Sequence, residues 1–331
     1  MGTALAGKPY NGRVGTGECV RIMTGAVIPD GADTVAMQEH VRVEKGSVFV
    51  GSRHRCGDHI RRRGDDLTLG KIVLTAGRRL TPADLGLLAS LGVCEVKVCR
   101  RPRIAFFSTG DELCPLGSPL EKGQIYDSNR YTLFGLLNRL GVEILDLGIV
   151  RDRREDLRMA FTSAAQAADA VITSGGVSVG EADFVREVLN NVGQVAFWKI
   201  AMKPGKPFAF GRVGTALFFG LPGNPVSVMA TFHYFVQPAL RRLAGELSKP
   251  PLRLRARCLE PLKKHPGRID FQRGVIETGQ AGELVVRSTG NQGSHILSSM
   301  SCANCFIILP LESGDVAPDM WVEVEPFVTL E

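Results

Sequence analysis

The stretch from Ser174 to Asp183 reads S-G-G-V-S-V-G-E-A-D, follows an apolar run and precedes a helix-like pattern. Its glycines would let backbone N–H groups approach a phosphate, but Glu181 and Asp183 would repel one. A divalent cation resolves this conflict, because carboxylate oxygens bind Mg²⁺ and Mg²⁺ in turn binds phosphate. The alternative is that Asp183 only caps the following helix. The loop lacks both the G-K-[ST] ending of a P-loop and the G-x-G-x-x-G spacing.

Positive charge follows this loop at Lys199, Lys203 and Lys206, where Pro204 and Pro207 restrict the backbone. A lysine held in this way suits phosphate or oxyanion binding as a point charge. The alternative is that one or two of the lysines face solvent, with Lys206 first among them. Together, the acids and lysines predict a pocket that binds a phosphorylated ligand and a metal ion.

Polar segments follow the predicted strands in the middle of the chain. They are residues 108–112, residues 151–152, the glycine loop, residues 201–207 and residues 220–225. The last of them opens a long apolar helix, so its N–H groups offer a second position for an anion. Ligands of α/β sheets bind beyond the carboxyl ends of the strands, so we expect one site along this edge. No serine, cysteine or histidine triad occurs in these segments, which argues against acyl transfer.

The elements that must position these segments alternate between strand and helix from Arg103 onward. Apolar runs such as residues 104–108 and 170–173 predict buried strands, with helices between them. This order predicts an α/β fold in which helices cover both faces of a mostly parallel sheet, giving three layers. Residues 1–78 show short alternating runs typical of a β-rich unit, and residues 249–331 predict a small, barrel-like β unit.

A linker at residues 79–100 precedes the α/β/α domain, which we place at residues 101–248. Within the linker, Thr81 and Pro82 predict the N-cap and first position of a short helix. A strand is expected after this helix, at residues 95–98, because apolar and polar residues alternate there.

Composition excludes several classes of protein. The chain has 331 residues, a net charge of +6 and 44% hydrophobic residues, which is enough for two or three cores. It has no basic stripe interleaved with aromatic residues, so small anionic ligands are expected rather than nucleic acid. The eight cysteines are scattered, which fits a reducing, cytoplasmic setting. No signal peptide and no membrane-spanning run are found, so a soluble protein is expected.

Nine stretches resemble one known family, in family order and over nearly the whole chain. They read C-V-R-I-M-T-G-A (19–26), I-R-R-R-G-D-D (60–66), F-S-T-G-D-E-L (107–113), I-Y-D-S-N-R (125–130), the glycine loop, K-P-G-K-P-F-A-F-G (203–211), G-L-P-G-N-P-V-S (220–227), D-F-Q-R-G (270–274) and G-N-Q-G-S-H (290–295). On these motifs the chain resembles the molybdopterin molybdenumtransferases of molybdenum-cofactor biosynthesis. The resemblance implies four structural units in an elongated homodimer.

The resemblance also implies a reaction. Members of this family take up molybdate, cleave AMP from adenylylated molybdopterin with a divalent cation such as Mg²⁺, and leave molybdenum on the dithiolene sulfurs. Carried over by motif, Glu112, Asp152 and Asp183 are acids of the pocket, and Asp183 and Glu112 are the expected metal ligands. Lys199 and Lys203 would hold phosphate or molybdate oxygens.

Further substrate-binding residues follow from the same motifs. They are Gly175, Gly176, Ser178 and Gly180 in the glycine loop, Pro222, Pro225 and Ser227 at the helix entrance, Arg273 and Ser294 near molybdate, and Thr24 and Asp66, which reach into the partner subunit's pocket. The molybdopterin adenylyltransferase and the apo-molybdoenzymes are the protein partners that the resemblance implies.

The start of the chain departs from the family pattern. Family members normally carry a further segment before the position of Met1, with a D-x-P-x-x-x-x-S-x-M-D-G-Y-A motif whose aspartate belongs to the composite site. We therefore expect an incomplete second unit, and the alternative function is a molybdopterin-binding protein impaired in turnover. A scaffolding role finds no support, because no long linker or adenylylating domain occurs. A lone adenylyltransferase would lack the β unit that carries Arg273 and Ser294.

Overall fold

A computed structural model describes residues 1–176, 184–247 and 249–327. The chain forms two compact units, Met1–Thr75 and Ala76–Glu331. Within the described part of the chain, no helix is both long enough and apolar enough to cross a membrane.

The strands of the first unit are short. They are β1 (Thr3–Ala4), β2 (Arg21–Ile22), β3 (Val41–Glu44) and β4 (Ser47–Val50), with a 3-10 turn at Gln38–His40. The pair β1–β2 is parallel, and β3 and β4 form an antiparallel hairpin. The hairpin matches the two alternating runs in the sequence, and the β structure of this unit consists of these small sheets.

The second unit begins with helix α1 (Pro82–Ser90). The Asp84 N–H donates to the Thr81 hydroxyl over 3.3 Å, and the Thr81 N–H donates to the Asp84 carboxylate over 2.8 Å. This reciprocal capping box, with Pro82 in the first turn, confirms the predicted helix start.

The predicted strand at residues 95–98 is wrong. Residues 93–102 form no regular structure, and the side chains of Val96 and Val98 are 44% and 69% exposed. An alternating sequence becomes a strand only where a neighbouring strand satisfies its backbone N–H and C=O groups, and none lies beside this segment in the described residues.

A central α/β region follows. Its elements are β5 (Arg103–Thr109), β6 (Leu113–Cys114), β7 (Ile125–Tyr126), α2 (Ser128–Leu140), β8 (Glu143–Val150), α3 (Arg154–Ala167), β9 (Ala170–Ser174), α4 (Phe184–Val192), β10 (Gly193–Lys199), β11 (Met202–Lys203), β12 (Pro207–Val213), β13 (Ala216–Leu221), α5 (Pro225–Thr231) and α6 (Gln237–Leu243), with a π-helical turn at Phe232–Val236 between the last two.

The main sheet has six strands in the order β10-β12-β13-β9-β5-β8. The strands β13, β9, β5 and β8 are parallel neighbours, whereas β12 is antiparallel to both β10 and β13. Because β12 reverses direction relative to both of its neighbours, β10 runs the same way as β13. The carboxyl ends of β5, β8, β9, β10 and β13 therefore lie along one edge of the sheet.

Helices cover both faces of this sheet. Successive side chains of β5 point to opposite faces, so Ala105 and Phe107 pack with α3 and α4 while Ile104 and Phe106 pack with α2, α5 and the π-turn. All four of these side chains are fully buried. The predicted three-layer α/β/α arrangement is confirmed.

The C-terminal part closes into a small barrel. Its elements are β14 (Leu254–Cys258), β15 (Ile269–Thr278), β16 (Leu284–Ser288), α7 (Leu297–Cys302), β17 (Cys305–Leu309) and β18 (Trp321–Pro326). The order β15-β16-β14-β18-β17 returns to β15, which confirms the barrel-like unit. The short strand β11 adds to β15 in parallel, with Lys203 opposite Asp270. An apolar cluster that includes Val226, Ala230 and Phe306 joins the barrel to α5.

Candidate active site

The polar segments predicted from the sequence follow the strand ends that lie along one edge of the main sheet. Residues 110–112 follow β5, residues 151–153 follow β8, residues 175–176 follow β9, residues 200–206 join β10 to β12, and residues 222–224 lead from β13 into α5. This edge is the candidate site. Among the predicted residues, Ser178, Gly180 and Asp183, together with Glu181, lie outside the described residues.

The ends of β5 and β9 are tied together beneath the glycine loop. The hydroxyl oxygens of Ser108 and Ser174 lie 3.1 Å apart. A Cβ at Gly175 would lie 2.3 Å from the Thr109 carbonyl oxygen, and one at Gly176 would lie 2.4 Å from a methyl group of Val185. Both glycines also have positive φ, 90° and 66°. The first two glycines of the loop are therefore required by the close approach of the protein's own chain.

Acidic side chains gather beside this point. The Asp152 Oδ1 is buried and has no hydrogen-bond partner among the described residues. Burial raises the pKa of Asp152, and the nearby carboxylates of Asp111 and Glu112 raise it further. The hydroxyl oxygens of Thr109 and Thr173, at the ends of β5 and β9, are also buried and find no partner in the part of the chain that the structure describes. Buried polar groups normally find one, so these atoms indicate a place for a bound ligand.

This acidic cluster fits a hard cation only in part. In residues 1–176, 184–247 and 249–327, no group of three His, Cys, Asp or Glu side chains converges closely enough to hold a metal ion. Mg²⁺ commonly takes one or two carboxylates and completes its shell with water and substrate phosphates. The carboxylates of Glu112 and Asp152 fit that kind of site, in which the substrate supplies the remaining oxygens.

The connection from β10 to β12 carries the lysines. The Lys203 Nζ lies 3.2 Å from the Asp270 Oδ2, and the Asp270 side chain is 5% exposed. Lys203 is therefore tied to the barrel, while about two-fifths of its own side chain stays exposed (42%). Lys199 ends the edge strand β10 and is exposed, as is Lys206. The positive charge at this edge is thus partly fixed and partly open to solvent.

Two helices begin at the same edge and are linked by Asn129, a residue not predicted from the sequence. The side-chain amide of Asn129, in the first turn of α2, donates to the Gly223 carbonyl over 2.7 Å. Asp127 caps α2 by accepting from the Arg130 N–H over 3.1 Å. The Asn129 Oδ1 and the Asp127 Oδ2 are buried without partners in the described chain. The signal was present in the I-Y-D-S-N-R stretch, where an Asp–Ser helix start precedes an asparagine.

The helix entrance itself is shaped by prolines. Pro225 occupies the first turn of α5, where its missing N–H costs no hydrogen bond. Pro222 is buried in the turn before it, and Ser227 is 4% exposed. The Ser227 carbonyl accepts from the Thr231 hydroxyl over 2.7 Å.

Arg273 lies behind a loop and not in an open cleft. It is 1% exposed and donates to the Ser299 hydroxyl over 2.9 Å, the Gly293 carbonyl over 3.0 Å and the Asn291 carbonyl over 3.3 Å. Burial lowers the pKa of this guanidinium to about 10. The loop continues to Ser294, whose carbonyl accepts from the Val226 N–H over 3.1 Å. Arg273 thus anchors the segment that connects the barrel to the first turn of α5.

Thr24 and Asp66 belong to the first unit, and both are exposed there. Their assignment to a composite pocket stays a prediction.

Comparison with known proteins agrees with the motifs. The description "Probable molybdopterin binding domain" matches residues 105–242, "MoeA N-terminal region (domain I and II)" matches residues 2–92, and "MoeA C-terminal region (domain IV)" matches residues 255–327. The molybdopterin molybdenumtransferase of Haemophilus influenzae is 49% identical over 328 residues, which cover 98% of this chain and 81% of that protein. The protein of the same name from Nostoc is 38% identical, over 89% of this chain and 69% of its own.

A solved structure extends the agreement to the fold. The molybdopterin biosynthesis moeA protein of Pyrococcus horikoshii OT3 superposes with a TM-score of 0.81 at 28% identity, covering 99% of this chain and 80% of that one. The motifs, the edge of the sheet at which they gather, and the similarity over nearly the full length lead to one assignment. The chain belongs to the molybdopterin molybdenumtransferase family of molybdenum-cofactor biosynthesis.

Proposed function

We propose that this chain inserts molybdenum from molybdate into adenylylated molybdopterin and releases AMP. The observation that carries the proposal is the buried Asp152 Oδ1, which has no hydrogen-bond partner in residues 1–176, 184–247 and 249–327. It lies near other carboxylates and on the same sheet edge as Lys199. Carboxylates toward the β8 end of this edge and lysines at the β10 end suit an extended ligand that brings both a phosphate and a cation. The names of the curated relatives support this choice of substrate.

The acids and lysines take separate roles in this proposal. Glu112 and Asp183 hold the divalent cation, and Asp152 contributes further negative charge beside it. The cation, when bound, supplies charge neutralisation to the phosphate of the departing AMP. Lys199 and Lys203 hold phosphate or molybdate oxygens as point charges, and the ion pair with Asp270 keeps Lys203 in place.

The backbone and the barrel complete the site. The glycine loop, with Gly175, Gly176, Ser178 and Gly180, and the helix entrance, with Pro222, Pro225 and Ser227, orient the substrate. Arg273 acts from behind by holding the loop at residues 290–294, which places Ser294 next to α5.

The quaternary part of the proposal rests on the family resemblance. The chain acts as a cytoplasmic homodimer in which Thr24 and Asp66 complete the pocket of the partner subunit. The molybdopterin adenylyltransferase supplies the substrate, and apo-molybdoenzymes receive the product.

The test is AMP release from adenylylated molybdopterin in the presence of Mg²⁺ and molybdate, measured by chromatography. Asp152→Asn and Asp183→Ala should each lower the rate by roughly 10²-fold or more, which is the usual cost of losing one group that stabilises developing charge. Lys206→Ala removes an exposed lysine of the same connection and should leave the rate unchanged.

Two outcomes would contradict the proposal. An unchanged rate in either acid variant would remove that residue from the mechanism. Tight molybdopterin binding by the unaltered chain without any AMP release would favour the alternative, a molybdopterin-binding protein impaired in turnover.

A further inference from the structure

The side chain of Lys203 depends for its position on the barrel. Its backbone is fixed separately, because β11 pairs with β15 and the Ile269 N–H donates to the Ala201 carbonyl over 2.9 Å. In the part of the chain that the structure describes, the Lys203 Nζ makes one hydrogen bond, over 3.2 Å to the Asp270 Oδ2. An ammonium has three N–H donors, so two of them stay available to an anion. The direction of these donors follows from the position of the Asp270 carboxylate.

Asp270 is buried on the inner face of the barrel. It lies directly opposite Leu309 of β17, and Gln272 lies opposite Ile307. Both of these apolar residues belong to the cluster inside the barrel, and directly opposed residues of an antiparallel pair share one face of the sheet. Asp270 and Gln272 are 3% and 2% exposed. A carboxylate in such surroundings destabilises the fold strongly unless it is paired and hydrogen-bonded.

Gln272 supplies that hydrogen bond. Its Nε2 donates to the Asp270 Oδ2 over 3.2 Å and to the Lys263 carbonyl over 2.8 Å. A carbonyl and an ionised carboxylate can only accept, so the nitrogen of the amide must face both of them. Both N–H groups of the amide are thereby used, and the Gln272 side chain has one orientation that satisfies them.

The second acceptor of Gln272 is itself fixed. The carbonyl of Lys263 and the N–H of Lys264 belong to one peptide group, and this N–H donates to the Asp315 Oδ1 over 2.8 Å. The Lys264 Nζ donates to two carbonyls of the loop at residues 311–313, over 2.9 and 2.7 Å. A chain of hydrogen bonds therefore runs from this barrel loop through Gln272 to the lysine ammonium at the sheet edge. Hydrogen bonds in such a chain polarise and strengthen one another.

We propose that Gln272 is a positioning residue for Lys203. It fixes the Asp270 carboxylate, which in turn holds the ammonium with two donors open to an oxygen of a phosphate or another oxyanion. The effect on the lysine needs no substrate, whereas any effect on turnover rests on the function proposed above for Lys203. The barrel thereby sets the position of a charge that the α/β layers carry.

The first measurement is the acylation of lysine amines in the full chain by limiting acetic anhydride, followed by mass spectrometry. Only the neutral amine is acylated, and an adjacent carboxylate favours the charged form. Acylation of Lys203, relative to the exposed Lys206, should rise about tenfold in Asp270→Asn and about threefold in Gln272→Leu. The buried Lys264 should stay protected in both variants, which distinguishes a local change from loosening of the whole barrel.

The second measurement is the kinetics of AMP release. Gln272→Leu should raise KM about threefold and change kcat less, because a lysine that holds a substrate oxygen contributes to ground-state binding. Glu277→Gln is the matched control: Glu277 lies on the same strand, is exposed and pairs with Arg287 at the surface. This control should alter neither acylation nor AMP release.

The two measurements separate this proposal from the proposed function. Unchanged acylation of Lys203 in Gln272→Leu would overturn the proposal, whatever happens to AMP release. A parallel rise in the acylation of Lys264 would also overturn it, because the variant would then have loosened the barrel as a whole. Faster acylation of Lys203 alone, with unchanged AMP release, supports the positioning by Gln272 and removes Lys203 from the proposed reaction.

Discussion

Replacing Arg273 with methionine should lower the free energy of unfolding by about 1.5–6 kcal/mol. The guanidinium makes three hydrogen bonds to the loop and to Ser299, and bonds to a charged group contribute about 1.5–3 kcal/mol each. The variant recovers part of this free energy, because it no longer buries a charge. The pKa depression of Arg273 from 12.5 to about 10 reflects that burial cost, which corresponds to about 3 kcal/mol at 1.36 kcal/mol per pKa unit. The difference is the expected loss.

The assay is urea denaturation combined with amide hydrogen exchange. Exchange at the Val226 N–H should accelerate in Arg273→Met, because its acceptor is the carbonyl of Ser294 at the end of the anchored loop. Arg287→Met is the control: Arg287 forms a surface ion pair with Glu277 over 2.7 Å, which is worth at most about 1 kcal/mol. An Arg273→Met protein as stable as the Arg287→Met protein, with unchanged exchange at Val226, would refute the reasoning.

Three further predictions concern the same unit. Burial raises the pKa of Asp152, so its ionised form destabilises the fold and Asp152→Asn should raise the urea midpoint at pH 7. This gain should disappear below about pH 3, where the acid is neutral in both folded and unfolded chains. A gain that persists below that pH would contradict the prediction. Asn129→Ala removes the hydrogen bond to the Gly223 carbonyl and should lower the free energy of unfolding by about 1 kcal/mol. It should also raise the KM for AMP release, and an unchanged KM would exclude a positioning role for Asn129. The pKa of Asp169 is lowered to about 2, chiefly by its hydrogen bond with Arg100. That stabilisation is present above the usual Asp pKa and is lost as pH falls toward 2. Arg100→Gln should therefore make the free energy of unfolding fall less steeply with decreasing pH. A curve parallel to that of the unaltered chain would count against the Arg100–Asp169 ion pair as the cause.

Features of the fold that depend on local chemistry could be predicted from the sequence. A helix start is specified locally by Thr81, Pro82 and Asp84, which lie within four residues of each other. The apolar run at β5 predicts a buried strand without reference to its neighbouring strands. Features that depend on distant partners could not be predicted. The alternation at residues 95–98 is as regular as that of β3, but it has no partner strand in the described chain.

The longest barrel strand, β15, also shows a feature that could not be predicted from the sequence, the burial of its polar residues. β15 contains Asp270, Gln272 and Arg273, which are all at most 3% exposed. An alternating pattern would assign such residues to solvent, but here groups distant in sequence satisfy them: Lys203 donates to Asp270, Gln272 donates to the Lys263 carbonyl, and Arg273 donates to Ser299 and to the loop at residues 291–293. Their burial depends on those distant groups and leaves no periodic signal in the sequence.

The sequence predicted which strand ends form the candidate site, but it predicted fewer of the contacts within that site. The acids and lysines were found because their residue types limit the possible chemistry. Asn129 was missed because its contribution is one hydrogen bond to a backbone atom far along the chain. The burial of Arg273 could not be predicted either, since the motif fixes its position in sequence but not the direction of its side chain.

The pairing of β11 with β15 has a consequence for modularity. The chain passes from the α/β layers to the barrel through a short proline-containing linker, which suggests two exchangeable parts. Yet Met202 and Lys203 form the outermost strand of the barrel's sheet, and the Lys203 ammonium is balanced by Asp270 of the barrel. A chain cut at the linker would leave that ammonium without its counter-ion. The barrel and the lysine loop are therefore one structural unit assembled from two separate stretches of the chain, and exchanging the barrel would change the surroundings of Lys203.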